Sequence, residues 1–99
     1  MIHVIAVITT QPGQRANVLS AFHDNGAAVR AEVGCIEYTA VVDHAGSPAP
    51  YGADTFVVVE KWETIEALRA HAAAPHMVAY SQKTKELVKE RAIHVLTLP

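Results

Sequence analysis

The sequence predicts an α+β domain of ferredoxin-like type, and three observations carry that prediction. Four segments are dense in β-branched and aromatic residues: "IHVIAVITT", "CIEYTAVVD", "TFVVVEKW" and "AIHVLTLP". Helical periodicity fills the intervals between the first and second and between the third and fourth. The strands are apolar on both faces, so both faces need cover. The order β-α-β-β-α-β implies a four-stranded antiparallel sheet with helices on one side. At 99 residues, the whole span 1–99 is expected to form a single domain.

Strand one, residues 2–10, places Ile2, Val4, Ala6 and Ile8 on one face and Ile5 and Val7 on the other. Pro12 and Gly13 then open a helix expected over residues 12–32, since proline suits a first helical turn. Val18, Leu19, Phe22, Gly26, Val29 and Val33 recur along it at helical spacing. Gly34 stops this helix. In strand two, alternation puts Ile36, Tyr38, Ala40 and Val42 on one face and Cys35, Glu37, Thr39 and Val41 on the other. "HAGSPAPYGAD" reads as a loop. Strand three divides into Phe56, Val58, Glu60, Trp62 and Thr55, Val57, Val59, Lys61.

Thr64 is a natural N-cap, although Ala67 stands where a full capping box would carry Glu or Gln. A short helix follows and ends before Pro75. A further helix is expected from His76 to Glu90, with its Lys- and Arg-rich end at the favourable pole of the helix dipole. The closing strand is then residues 92–99.

Composition narrows the function. Hydrophobic residues make up 51% of the chain and charged residues 18%, with a formal net charge of −2. No basic run offers a footprint for nucleic acid. No apolar stretch approaches the ~20 residues of a membrane-spanning helix. The N-terminus lacks a basic leader with a cleavage site, and the one cysteine allows no internal disulfide, so a reducing, cytoplasmic setting is expected. Helices can cover only one sheet face, so a second copy of the chain is the expected cover for the other, giving a homodimer.

Taken together, "AEVGCIEY", "FVVVEKW" and "ALRAHAAAPHMVAY" resemble the antibiotic biosynthesis monooxygenase family, in order and along nearly the whole chain. Val33 stands where that family's Glu-Pro-Gly motif has proline, Met77 stands where an aromatic follows Pro-His, and the loop at 45–53 is longer than usual. The resemblance implies a dimeric α+β barrel. It also implies oxygenation of a quinol or polyketide-like aromatic by dioxygen without metal or other cofactor. An electron-rich phenol, once deprotonated, can itself reduce dioxygen. The protein then supplies a dry pocket, a proton acceptor and hydrogen bonds to the developing anion.

On that resemblance Trp62, His71 and Asn25 are the expected catalytic residues, with Phe22, Tyr38, His76 and Tyr80 expected to contact the substrate. His71 is expected to face the pocket. His76 reads mainly as a capping and packing residue at the start of the last helix. Five positions with a proline between them separate the two histidines, which is not the i, i+4 spacing of a helical metal pair, so no metal is expected. Arg30 and Glu32 read as a surface or interface ion pair of small worth, formed across the helix end or with Lys61, and Cys35 as a small buried hydrophobe. His3, His23, His44 and His94 belong to no motif. Two other functions fit the same scaffold. One is an isomerase or a non-catalytic small-molecule-binding domain, although no Lys/Arg cluster marks a phosphate site. The other is a heme-degrading enzyme, disfavoured because strand one carries Ala6 and Val7 and no asparagine.

Overall fold

A computed structural model describes residues 1–99. The elements run β1 (Ile2–Thr10), α1 (Arg15–Arg30), β2 (Cys35–Val41), β3 (Thr55–Trp62), α2 (Ile65–Ala73), α3 (Pro75–Thr84) and β4 (Val88–Leu96). The four strands form one antiparallel sheet in the order β2-β3-β1-β4. This is the ferredoxin-like arrangement expected from the sequence, with the second helical segment divided in two at Pro75.

The core lies between the sheet and the helices. Val18, Phe22 and Val29 of α1 recur at helical spacing, and all three are buried against Val4, Phe56, Val58 and Trp62. Trp62 is fully buried, and burying a side chain of this size contributes several kcal/mol of hydrophobic stabilisation. The opposite sheet face has no helix. It presents Ile5, Val7, Val57, Val59 and Val41, with Val41 43% exposed.

Element boundaries depart from expectation in three places, each with a local cause. α1 starts at Arg15 and not at Pro12, because Gly13 takes φ +78°, a left-handed conformation that belongs to a turn. Val33 consequently lies beyond α1 and is 90% exposed. The last helix ends at Thr84 and not at Glu90. Its Thr84 hydroxyl donates back to the Tyr80 carbonyl at 2.9 Å, and residues 85–87 turn the chain. Val88–Arg91 then join β4, where Thr10 pairs with Val88 and Ile8 with Arg91. Pairing along the full length of β1 outweighs the helix propensity of "KERA".

The third departure changes a face. Cys35 pairs with Trp62, but Glu37 pairs with Lys61, so Ile36 is the extra residue of a β-bulge. Strict alternation would set Cys35 opposite Tyr38. The bulge turns Cys35 onto the core side with Trp62 and leaves Ile36 48% exposed.

Gly34 enters this bulge at φ +82°, and a Cβ there would lie 2.7 Å from the Ala67 Cβ of α2. Backbone contact reinforces the approach, since the Glu63 amide donates to the Gly34 carbonyl at 2.8 Å. Gly34→Ala is expected to cost about 2 kcal/mol or more, combining left-handed strain with overpacking. Urea unfolding of the two proteins measures it.

Candidate active site

Beneath α2 and α3 the sheet leaves a cavity of about 540 Å³. Its walls are mostly apolar: Val4, Ala6 and Ile8 of β1, Val58 of β3, Met77 of α3, and Ile93 and Val95 of β4. A ligand pocket commonly has this character, a greasy interior with a few placed polar groups. The polar groups here are Tyr38, Glu60, His71, Tyr80, Ser81, Gln82 and Arg91.

α2 brings His71 into this wall. Thr64 caps the helix by accepting the Ala67 amide at 3.1 Å, as expected, and His71 lies two turns further on, 6% exposed. Its Nδ1 lies 2.7 Å from Oε2 of Glu32, in the turn between α1 and β2. A carboxylate only accepts, so Nδ1 carries the hydrogen and donates it. That tautomer leaves the Nε2 lone pair free, and Nε2 has no hydrogen-bond partner in the protein. The ring is also held by packing, with its centroid 4.7 Å from that of Trp62 and 5.5 Å from that of Tyr38. Phe22 stacks on Tyr38 at 4.9 Å and continues the aromatic wall.

Glu60 was not anticipated as a site residue. It is 7% exposed, lines the cavity, and accepts the Trp62 indole N–H at 3.0 Å. Burial pushes its carboxyl above the usual range, while the Trp62 hydrogen bond and nearby His71 pull the other way and Glu32 adds to the rise. Burial likewise raises Tyr38, further increased by Glu60, and it raises Tyr80, partly offset by Arg91.

The raised Glu60 pKa has a testable sign. Above the ordinary carboxylate range the folded protein holds a proton that the unfolded chain releases, so stability falls as pH rises towards the folded pKa. Glu60→Gln keeps an acceptor for Trp62 and removes the titration. Urea midpoints across pH 4–8 are expected to decline for the wild type over that interval and to stay flatter for E60Q.

The expected site residues separate into groups. His71, Tyr38, Phe22 and Tyr80 line the cavity. Trp62 has no exposed surface and stands behind His71 and Glu60 without lining it. Asn25 and His76 line a different, shallower cleft across α3, together with Asp24 and Lys83. The Asn25 amide donates to the Met77 sulfur at 3.4 Å.

His76 does not cap its helix, since Ala74 holds that position without a side-chain bond. Its Nε2 is 3.7 Å from Glu32 Oε1, and its Nδ1 is buried without a partner. Glu32 therefore joins the two histidines and pairs with neither Arg30 nor Lys61. Lys61 pairs instead with Glu37 at 3.5 Å. Glu32 and Glu60 could have been suspected from sequence only as carboxylates near a glycine and a tryptophan, a weak signal. No three His, Cys, Asp or Glu side chains converge as a bound metal ion would require.

An antiparallel ferredoxin-like sheet, roofed by helices over a mostly apolar cavity whose wall holds a carboxylate-bound histidine and a buried carboxyl, defines a small α+β protein with one candidate site for proton chemistry. The chain belongs to the antibiotic biosynthesis monooxygenase family, whose family model matches residues 1–83. It is 43% identical to "Probable quinol monooxygenase YgiN" of Escherichia coli K12, over 97% of this chain and 96% of that protein. Among solved structures it resembles PA3566 from Pseudomonas aeruginosa, with a TM-score of 0.84 at 26% identity over 99% of this chain and 93% of the other. It also resembles Rv0793 from Mycobacterium tuberculosis, with a TM-score of 0.82 at 25% identity over 99% and 94%.

Proposed function

We propose that the protein is a cofactor-independent monooxygenase that oxidises a hydroquinone, or an aromatic with the same electron-rich phenol chemistry, with dioxygen. The observation that carries this reading is His71, held by Glu32 at 2.7 Å in the wall of an apolar cavity. Membership of a monooxygenase family and the likeness to the E. coli protein support it.

In this reading His71 Nε2 takes the proton of a substrate hydroxyl, and Glu32 stabilises the imidazolium so formed. The hydroquinone anion gives an electron to dioxygen, and the two recombine as a peroxide on ring carbon, which takes up the His71 proton. The O–O bond then breaks as the ring C–H proton leaves. The departing hydroxide combines with that C–H proton and exits as water, with the Glu60 carboxyl in the cavity wall placed to relay the proton. The balance is hydroquinone plus dioxygen to hydroxyquinone plus water. All electrons come from the substrate, and no external reductant is consumed. The aromatic wall of Phe22, Tyr38 and Tyr80 would hold the ring, while Trp62 keeps Glu60 in place from behind.

The working unit in this proposal is a homodimer in a reducing, cytoplasmic setting. Support comes from the helix-free sheet face bearing Ile5, Val7, Val57 and Val59, from the unpaired Cys35, and from the lack of any helix long and apolar enough to cross a membrane. Sedimentation is expected to give twice the chain mass, and Val59→Lys, at the middle of that face, to give the monomer.

Oxygen consumption with a panel of hydroquinones tests the activity. One dioxygen consumed per hydroxyquinone formed, without hydrogen peroxide, supports it. A folded protein that consumes no oxygen above the buffer rate defeats it.

A further inference from the structure

The cavity has a second polar end that this chemistry does not use. Three rows of side chains cross the sheet on its helix side. Tyr38, Glu60, Val4 and Val95 form the first, Val58, Ala6 and Ile93 the second, and Phe56, Ile8 and Arg91 the third. The first row lies beside His71, which contacts Tyr38. The second row is entirely apolar. Val4 and Ile8 are four residues apart on β1, so the reactive row and the Arg91 row lie about 13 Å apart along the strands.

Arg91 is the one lysine or arginine in the cavity wall. No carboxylate lies within ion-pair distance of it, and it donates no hydrogen bond to the protein. Tyr80 lines the same cavity, and the Arg91 charge partly offsets the rise that burial causes in its hydroxyl. Ser81 and Arg91 are shared with an adjoining cleft that also carries Lys85, Lys89 and Glu90. That end of the cavity therefore opens into a region with three cations and one anion. The reactive end is the opposite in character, with the Glu32 carboxylate held against His71 and no lysine or arginine in the wall there.

We infer that Arg91 is a specificity residue that binds an anionic substituent of the substrate. The preferred substrate is then an aromatic hydroquinone with a carboxylate, sulfonate or phosphate held on a short tether away from the oxidised ring. The inference rests on the hydroquinone reading for the identity of the ring, and on the cavity alone for the anion. The apolar middle row fits the ring system between the two polar ends. A planar guanidinium suits a carboxylate or phosphate because it can donate two parallel hydrogen bonds.

Binding tests the inference independently of turnover. The probes are 1,4-dimethoxynaphthalene, which cannot be oxidised as a hydroquinone, and the same molecule with a carboxylate tethered to its far ring. Quenching of the single tryptophan, Trp62, reports both. The anionic probe is expected to bind the wild type about tenfold more tightly than the neutral one, a preference that weakens with added salt. Arg91→Gln is expected to bring the ratio close to one, Arg91→Lys to retain part of it, and Arg69→Gln, on the exposed side of α2, to leave it unaltered. Equal binding of the two probes by the wild type, no binding of either, or an unchanged ratio in R91Q overturns the inference. If the corresponding hydroquinones drive no oxygen consumption while the binding ratio and its loss in R91Q hold, the oxygenation reading fails and the anion site stands.

Discussion

Replacing His71 with glutamine is expected to lower kcat by about 10²–10⁴-fold, the usual contribution of a positioned general base. The side chain is buried, but glutamine can still donate a hydrogen bond to Glu32, so Glu32 keeps its partner. The loss should therefore fall on kcat, with a smaller change in KM and in the urea midpoint. Glu32→Gln should act through His71. It removes the negative charge that stabilises the imidazolium and allows Nδ1 to accept, which frees the ring to adopt the other tautomer. A smaller fall in kcat than in H71Q, with substrate affinity preserved, is the expected pattern. If H71Q oxidises hydroquinone at the wild-type rate, His71 is not the base.

Trp62→Ala is expected to destabilise the fold by about 3–5 kcal/mol, the cost of emptying a large, fully buried aromatic site. The indole also supplies the N–H that holds Glu60 at 3.0 Å. Trp62→Phe separates the two effects. It keeps much of the volume but leaves a buried carboxyl without its donor, for an expected loss of about 1–3 kcal/mol. Combining it with Glu60→Leu should recover part of that loss, because no polar group is then left unpaired. Urea unfolding of the three variants reads the difference. A Trp62→Phe protein as stable as wild type would show that the hydrogen bond contributes nothing net.

Part of the candidate site was visible in the sequence: the family resemblance pointed to His71, and local rules placed the aromatic members. Tyr38 and Phe22 sit on the core-facing sides of β2 and α1, where alternation and helical spacing put them. His71 follows a recognisable cap at Thr64 and lies on the inner side of a short helix. Glu32 looked like half of a surface ion pair because its only sequence neighbour of opposite charge was Arg30. Its true partners lie 39 and 44 positions away and approach only once α2 and α3 fold over the turn after α1. Glu60 looked like an acidic residue at the end of a strand. Its burial depends on the helices that roof it, which strand periodicity does not report.

The same division explains where the structure departs from the sequence reading. Asn25 and His76 share α1 and α3 with cavity residues but point across α3 into the smaller cleft. A helix can present a residue to either of two grooves, and spacing alone does not choose between them. Cys35 changed face because one inserted residue, Ile36, shifts the two-residue period of β2. The strand from Val88 was hidden in a charged, helix-compatible segment and was decided by hydrogen bonding to β1.

Local chain preferences thus determined the element order, the ferredoxin-like class, the two-faced apolar sheet and the aromatic residues of the cavity wall. These depend on backbone sterics, periodicity and capping, which act within a few residues of the chain. Only the tertiary structure decided which carboxylates meet the histidines, which sheet side Cys35 takes, and that Arg91 shares a cavity with Glu60. Those are pairings between distant segments, and their energies exist only when burial removes competing water from both partners at once.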